Sequence, residues 1–207
     1  MKERKFLNKG NVIRSDMAKL SQIWLNLLVV FSYEYNKSFS GSEIYRKIGL
    51  PQRSVSRHLT KLVKEGILKF NRKGNNNFYY LDLFDERIGV VLNLVESYKS
   101  FVFAKNNYLW KEIKDLVGFG TVVLFGSWVK GYSNTSSDID VLIFSKKSEK
   151  LRKILRALPK VQAQVVSFDS FEKLVHSKDV LALEILKNHV IFGDSDKFID
   201  LCRRFYG

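Results

Sequence analysis

Two carboxylates, Asp138 and Asp140, stand at the start of the apolar segment at residues 141–144 and are the strongest candidates for chemistry in the chain. Side chains two apart on a β-strand point to the same face, so both carboxylates are expected to project together. Two neighbouring carboxylates repel each other unless a cation lies between them, and Mg²⁺ or Mn²⁺ prefers oxygen ligands. The pair predicts a metal site whose cation neutralises charge on a phosphoryl group.

The residues just before this pair suit the phosphates of a nucleotide. An apolar segment at 121–125, typical of a buried strand, leads directly into Gly126 and Ser127. Gly126 lets the backbone turn sharply and approach a ligand closely. If a helical turn begins at Ser127, its free N–H groups and the serine hydroxyl can donate to a triphosphate. Lys130 and Lys146 are further candidates for phosphate contact.

Together these residues resemble the signature of the DNA-polymerase-beta-type nucleotidyltransferase superfamily, and most of all its minimal nucleotidyltransferases. The signature is a Gly-Ser pair after a strand, a later glycine and two spaced aspartates, here Gly126-Ser127, Gly131 and Ser137-Asp138-Ile139-Asp140. The resemblance covers roughly residues 106–207. It implies a small mixed sheet with flanking helices, a nucleoside triphosphate and divalent metals. Gly126 and Ser127 would then hold the triphosphate, and Asp138 and Asp140 would be the catalytic metal ligands.

The superfamily that this segment resembles takes a third carboxylate from a later strand, as general base and as metal ligand. That strand is expected at residues 161–167, where the polar positions are Gln162 and Gln164. A glutamine amide cannot accept a proton at neutral pH. Gln164 is the slightly preferred position because it lies deeper in the strand, and Asp169, just past the strand, is the alternative carboxylate. The departure argues against efficient nucleotidyl transfer more than against metal-assisted nucleotide binding.

A basic excess is concentrated in the first part of the chain. The net charge is +14, and residues 1–83 carry 16 Lys/Arg against 6 Asp/Glu, whereas residues 84–207 carry 19 against 15. A local excess of this size favours a phosphate-backbone partner over a role in solubility alone.

Three helices and a hairpin account for most of this basic region. Apolar residues recur at helical spacing over residues 18–35, and a short helix at 42–48 can be capped by Ser40 or Gly41. A third helix is predicted at 52–64, directly after Pro51. Its sides differ in character, because one is apolar while the other carries cations and hydroxyls. A short helix, a tight turn and a helix with a polar outer face are typical of a helix-turn-helix.

The segment that follows completes a resemblance to the winged helix-turn-helix family. Strands are expected at 67–70 and 78–83, joined by a basic Asn/Gly-rich loop at 71–77. The resemblance, carried by residues 53–68 and the hairpin, implies a recognition helix in the major groove of duplex DNA and a wing beside it. His58 is expected to be an ordinary surface or flanking residue. The candidate DNA contacts are Arg53, Ser56, Arg57, Thr60, Lys61, Lys64, Arg72 and Lys73.

These segments predict an α+β chain in three parts. They are a winged helix-turn-helix at 1–83, a helical connector at 84–105 and a nucleotidyltransferase-fold domain with a mixed sheet and flanking helices at 106–207. Apolar surface around Leu25, Val29 and Val30, and again at residues 95–103, exceeds what one small domain can cover. We therefore expect a homodimer.

Composition narrows the class of protein further. Cys202 is the only cysteine, which excludes an intrachain disulfide and a thiolate metal cluster. The longest apolar run is too short for a membrane span, so a cytoplasmic protein is expected. Three functions stay open: a DNA-binding regulator whose second domain binds Mg²⁺ and a nucleotide, an active nucleotidyltransferase acting on a protein, RNA or small-molecule hydroxyl, and an antitoxin-like partner protein.

Overall fold

The N-terminal part of the computed structural model combines three helices with a small antiparallel sheet. The structure describes residues 22–134 and 136–207, so the start of the basic region at 1–83 and the first residues of the helix predicted at 18–35 lie outside the described part. We refer to residues 22–83 as the N-terminal unit. Its elements are α1 (Gln22–Ser32), β1 (Phe39–Ser40), α2 (Gly41–Ile48), α3 (Gln52–Lys64), β2 (Leu68–Lys73) and β3 (Asn76–Leu81).

Local signals fix the ends of the two short helices. Ser40 begins α2 because its hydroxyl accepts a hydrogen bond from the Glu43 backbone N–H, while the Glu43 carboxylate accepts one from the Ser40 backbone N–H. Gly49 ends α2 in the left-handed conformation, with φ of 66°. Pro51 precedes the first residue of α3, as expected.

The hairpin is longer than the sequence pattern predicts. Its strands β2 and β3 pair from Leu68 opposite Leu81 to Lys73 opposite Asn76, so a two-residue turn joins them. The loop predicted at 71–77 is therefore wrong. Gly74 has a positive φ of 59°, and one such residue suffices for a tight hairpin turn that lets its asparagine neighbours pair as strand.

A single helix, α4 (Ile88–Asn106), forms the connector and packs against both parts of the chain. One continuous core includes Leu27 and Leu59 from the N-terminal unit, Leu92 from α4, and Val123 and Ile185 from the region beyond it. The two parts are thus packed together rather than flexibly linked. None of the helices in the described ranges is long and apolar enough to cross a membrane.

The apolar surface expected on α1 is covered by the same chain. Val30 is buried, and Leu25 and Val29 pack against the core that α1 shares with α4. Much of this surface is therefore covered within the chain, while Val29 and Val30 also line an open cleft. On α4 itself, Val95 is also buried, whereas Phe101 is exposed.

Beyond α4, short helices surround a four-stranded sheet. We refer to residues 106–207 as the C-terminal unit. Its elements are α5 (Trp110–Ile113), a 3₁₀ helix (Lys114–Phe119), β4 (Thr121–Leu124), α6 (Ser127–Lys130), β5 (Ile139–Phe144), α7 (Glu149–Arg156), β6 (Val161–Val166), α8 (Phe168–His176), α9 (Val180–Lys187), β7 (Val190–Phe192) and α10 (Asp196–Tyr206).

The strand order β6-β5-β4-β7 makes this a mixed sheet. The strands β5 and β6 run parallel, whereas β4 is antiparallel to both β5 and β7. Leu142 on one face of β5 belongs to the core shared with α4, while Val141 and Ile143 on the other face belong to a second core. The predicted α+β fold with a mixed sheet is confirmed.

Candidate functional site

The end of β4 and the start of β5 meet at one edge of the sheet because the two strands are antiparallel. The Phe125 backbone N–H donates to the Asp140 carbonyl over 3.0 Å, which holds the turn after β4 against β5. Gly126 follows with φ of 75°, and a Cβ at this position would lie 2.3 Å from Oδ2 of Asp140. Only glycine fits both the backbone angle and the carboxylate above it.

The two aspartates of the predicted pair differ in their surroundings. Asp140 lies in β5 and is half-buried, whereas Asp138 precedes the first strand residue and is exposed. Burial raises the pKa of Asp140, and the negative charges of Asp138 and Glu184 raise it further. A carboxylate in an excess of negative charge is stabilised by a nearby cation, so the structure fits the predicted metal pair on this point.

Strand register decides which glutamine lies beside the aspartates. In the parallel ladder Asp140 is opposite Gln162, and Leu142 is opposite Gln164. Gln162 is therefore the residue next to Asp140 on the same face of the sheet, which reverses the slight preference for Gln164. The alternative carboxylate, Asp169, lies in the first turn of α8, past the end of β6, and is exposed.

The predicted phosphate turn leads into a short helix whose last residue is already paired. Ser127 begins α6 directly after Gly126, and Lys130 ends it. The Lys130 ammonium forms an ion pair with the Glu184 carboxylate on α9. Lys130 thus pairs with a carboxylate near Asp140, whereas the sequence predicts that Lys130 contacts phosphate. Lys146 lies at the opposite end of β5, just past Phe144.

Glu184 is the acidic residue that sequence reasoning misses. It lies on α9, in an otherwise apolar stretch that ends in Lys187, and its charge acts on Asp140. A lone carboxylate in an apolar helix could have signalled the site, but its partner Lys130 is 54 residues away in sequence. No group of three or more His, Cys, Asp or Glu able to hold a metal ion occurs in the described ranges.

The candidate DNA contacts lie on the surface of the N-terminal unit. The side of α3 that faces away from the core, here called the outer face of α3, and the hairpin tip carry them, and all are exposed: Arg53, Ser56, Arg57, Thr60, Lys61, Lys64, Arg72 and Lys73. The Thr60 hydroxyl donates to the Ser56 carbonyl over 3.0 Å, and Arg72 donates to the Gly74 carbonyl over 3.2 Å. Val55, Leu59 and Leu62 are buried on the opposite side.

His58 is not the surface residue that the sequence suggests. It is 7% exposed, and its Nδ1 accepts a hydrogen bond from the Trp24 indole over 3.1 Å. Burial lowers the pKa of His58, and the charges of Arg57 and Lys61 lower it further. The residue therefore ties α3 to α1 as a neutral imidazole.

A buried polar cluster joins the N-terminal unit, α4 and the C-terminal unit. Glu96 on α4 accepts a hydrogen bond from the Tyr35 hydroxyl over 2.6 Å and forms an ion pair with Lys99 over 2.7 Å. His189 contacts the same carboxylate over 3.4 Å. Lys99 also donates to the Ser32 hydroxyl over 3.3 Å. We refer to Tyr35, Glu96, Lys99 and His189 as the buried joint.

The mixed sheet, with the Gly126 turn and the two aspartates where β4 ends and β5 begins, thus defines a nucleotidyltransferase-type domain. A helical unit with a basic face precedes it. Comparisons with known proteins agree. Residues 110–197, which include Gly126, Asp138 and Asp140, match the family model described as Polymerase beta, Nucleotidyltransferase.

An uncharacterized HTH-type transcriptional regulator of Methanocaldococcus jannaschii is 33% identical to this chain over 70 residues, which are 34% of this chain and 76% of that protein. No solved structure matches the chain. The chain belongs to the same family as this regulator, and a nucleotidyltransferase domain occupies its residues 110–197.

Proposed function

We propose that this protein is a DNA-binding regulator whose nucleotidyltransferase domain binds Mg²⁺ with a nucleoside triphosphate and transfers the nucleotide poorly or not at all. The three parts are the ones that the sequence predicts: a winged helix-turn-helix at 1–83, a helical connector at 84–105 and the nucleotidyltransferase domain at 106–207. The observation that carries the proposal is the amide of Gln162 opposite Asp140, in a site that otherwise keeps the Gly126 turn and both aspartates.

The DNA-binding part rests on the outer face of α3. Its cations and hydroxyls project from a helix whose inner side is anchored by Val55, Leu59 and Leu62. The convex, cationic surface suits the phosphates and base edges of a major groove, with the hairpin tip beside it. The similarity to a protein named as an HTH-type transcriptional regulator supports the same assignment.

The proposed metal and nucleotide binding rests on the residues where β4 ends and β5 begins. Asp138 and Asp140 would hold Mg²⁺ or Mn²⁺, and the backbone N–H groups after Gly126 with the Ser127 hydroxyl would hold phosphates. A bound divalent cation supplies neutralisation of the phosphate charge at such a site. The chain's own residues place the groups: the Gly126 turn lets Asp140 approach closely, and the packing of α9 brings Glu184 near it.

The missing base explains why transfer is not expected. An acceptor hydroxyl must lose its proton to attack a phosphoryl group, and the Gln162 amide cannot take that proton at neutral pH. The amide carbonyl is also a weaker metal ligand than a carboxylate. Binding therefore survives the substitution better than catalysis does.

A metal titration with two glutamine variants tests this proposal. Gln162→Asp is expected to tighten Mg²⁺ and Mn²⁺ binding and to produce measurable transfer from labelled nucleoside triphosphates. Gln164→Asp is the matched control, because it changes the same residue type on the same strand, two residues further along. Robust transfer by the unmodified protein that is lost in Asp138→Ala would contradict the proposal.

An active nucleotidyltransferase is the second candidate function, and one observation favours it. Glu184 places a third carboxylate near Asp140 from a helix rather than from β6. If Glu184 takes the acceptor proton, Glu184→Gln abolishes transfer while Gln162→Asp leaves it unchanged. Glu184→Gln and Gln162→Asp together therefore separate the two functions.

We also propose that the protein is a homodimer, through α4. The most exposed apolar positions on α4 are Val90, Leu94 and Phe101. Light scattering at micromolar concentration is expected to give twice the mass of the 24.1 kDa chain. A monomer there contradicts the proposal, as would an unchanged dimer in Phe101→Glu.

A further inference from the structure

A large cleft lies between the N-terminal unit, α4 and the sheet edge. Its volume is about 830 Å³, within the size of small-molecule pockets. Tyr33, Glu34 and Lys47 line it from the N-terminal unit, and Tyr98 lines it from α4. The C-terminal unit closes it with α6 residues and with residues at the start of β7. Clefts at domain junctions are preferred places for ligands.

The cleft adjoins the candidate phosphate turn. The helix α6 begins at Ser127, beside the phosphate turn, and ends at Lys130, in the cleft wall. One turn of helix rises only about 5.4 Å. At the sheet edge, Val190 of the cleft lies opposite Leu124, the last residue of β4. Lys130 in the cleft wall pairs with Glu184, whose negative charge acts on Asp140, so the cleft wall and the metal pair are linked through this ion pair.

The lining of the cleft has the chemistry of a nucleoside site. Tyrosine rings at Tyr33, Tyr98 and Tyr132 offer faces and edges for a planar base, and every base can stack on an aromatic ring. Asn188 offers an amide donor and acceptor for base edges, and Asn26, whose Oδ1 accepts from the Tyr98 hydroxyl, offers its amide N–H groups. The Glu34 carboxylate can accept hydrogen bonds from ribose hydroxyls, as acidic residues do in other nucleotide sites. An apolar peptide or a lipid tail would remove these polar groups from water without offering them a hydrogen bond.

We infer that this cleft holds the nucleoside part of the bound nucleotide, so that residues of the DNA-binding unit form one wall of the nucleotide site. The assignment rests on the nucleotide binding proposed above and extends it to a second unit of the chain. Lys99 lies at the floor of the cleft, 4.8 Å from the Tyr33 ring centroid, and belongs to the buried joint. A nucleoside in the cleft therefore contacts both units and the helix that connects them.

Filling the cleft tests the inference. Val102 lines the cleft and is 36% exposed, so Val102→Trp adds bulk there without replacing a core residue. Leu174→Trp is the control, because Leu174 on α8 is 43% exposed, close to the value for Val102, and lies outside the cleft. Binding is measured calorimetrically in Mg²⁺ for tripolyphosphate and for the four common nucleoside triphosphates.

The expected result is a loss of affinity for nucleotides but not for tripolyphosphate. Val102→Trp should weaken the best nucleoside triphosphate at least tenfold and leave tripolyphosphate within twofold, while Leu174→Trp changes neither. A second pair adds no bulk to the cleft: Lys47→Ala should weaken nucleotide binding about threefold, and Arg46→Ala, exposed on the same helix but outside the cleft, should not.

Three outcomes overturn the inference in distinguishable ways. Nucleotide affinity that is unchanged in both Val102→Trp and Lys47→Ala places the nucleoside elsewhere. Tripolyphosphate that binds as tightly as every nucleotide shows that the nucleoside makes no contact. In both cases the proposed phosphate site stands. If the unmodified protein binds neither ligand, the nucleotide part of the proposed function fails as well.

Discussion

The buried joint and the outer face of α3 use similar charged residues in opposite ways. In the buried joint, Glu96 and Lys99 are almost fully excluded from water and are paired with each other. On α3, Arg53 and Arg57 project into solvent. A buried charge is tolerated only with its partner, whereas an exposed charge costs little and stays available to a ligand. The comparison predicts that the buried joint determines stability and the outer face determines DNA binding.

The largest expected effect comes from breaking the buried pair. Glu96→Gln leaves the Lys99 ammonium buried without a counter-charge, which should lower the free energy of unfolding by about 3–5 kcal/mol. The measurement is urea denaturation. Glu149→Gln is the matched control, because Glu149 forms an ion pair with Arg152 at the same spacing of three residues, but on the surface.

For that exposed pair we expect a loss of at most about 1 kcal/mol. Equal losses in Glu96→Gln and Glu149→Gln would remove the distinction between the two regions. Replacing both partners, as in Glu96→Leu with Lys99→Met, should cost less than Glu96→Gln alone, since no uncompensated charge remains.

The charged pair at the centre of the molecule could not be predicted from sequence, although the helix that carries it could. Periodic apolar residues indicate α4, but Glu96 and Lys99 look like ordinary surface positions because charged residues are rarely buried. Their partners, Tyr35 and His189, come from segments 61 and 93 residues away from Glu96. Pairing over such distances depends on tertiary packing, which local patterns do not contain.

The candidate site shows the same division. The turn at Gly126 and the pair Asp138 and Asp140 are predictable because their spacing is local. The choice between Gln162 and Gln164 depends on strand register, and the approach of Glu184 depends on how α9 packs. Both depend on long-range packing. The sequence therefore limits the strand position to Gln162 or Gln164 and does not indicate Glu184.

Acidification should weaken the buried joint before it affects the outer face of α3. Burial lowers the pKa of His189, so on acidification the unfolded chain binds a proton at this side chain before the folded protein does. Burial would raise the pKa of Glu96, but Lys99 and His189 outweigh it and bring the value to about 2. Both shifts have one sign: the unfolded state binds more protons, so stability falls as pH decreases.

The histidine contribution is lost as pH falls below the unfolded value of about 6.5, and the Glu96 contribution is lost below about 4.5. Urea denaturation at about pH 7.5 and about pH 5.5 should show lower stability in acid. His189→Gln should flatten that dependence, while the exposed His176→Gln should not. A pH dependence of equal steepness in both variants would assign the titration to other groups.

The smallest effect on stability should accompany the largest effect on DNA binding. Arg53→Ala with Arg57→Ala removes two exposed cations from the outer face of α3, so the free energy of unfolding should change by less than about 0.5 kcal/mol for each. If each arginine contacts a phosphate, the slope of log affinity against log salt should flatten by about 0.9 for each one removed. Lys111→Ala, an exposed cation on α5 of the C-terminal unit, should change neither slope nor affinity. Binding of a DNA duplex, measured across a range of salt concentrations, separates these outcomes.

If Arg53→Ala with Arg57→Ala leaves the slope of log affinity against log salt unchanged, the DNA contacts do not lie on α3. The exposed cations there would then serve solubility alone, and the difference between the two regions would be one of burial without a difference in function.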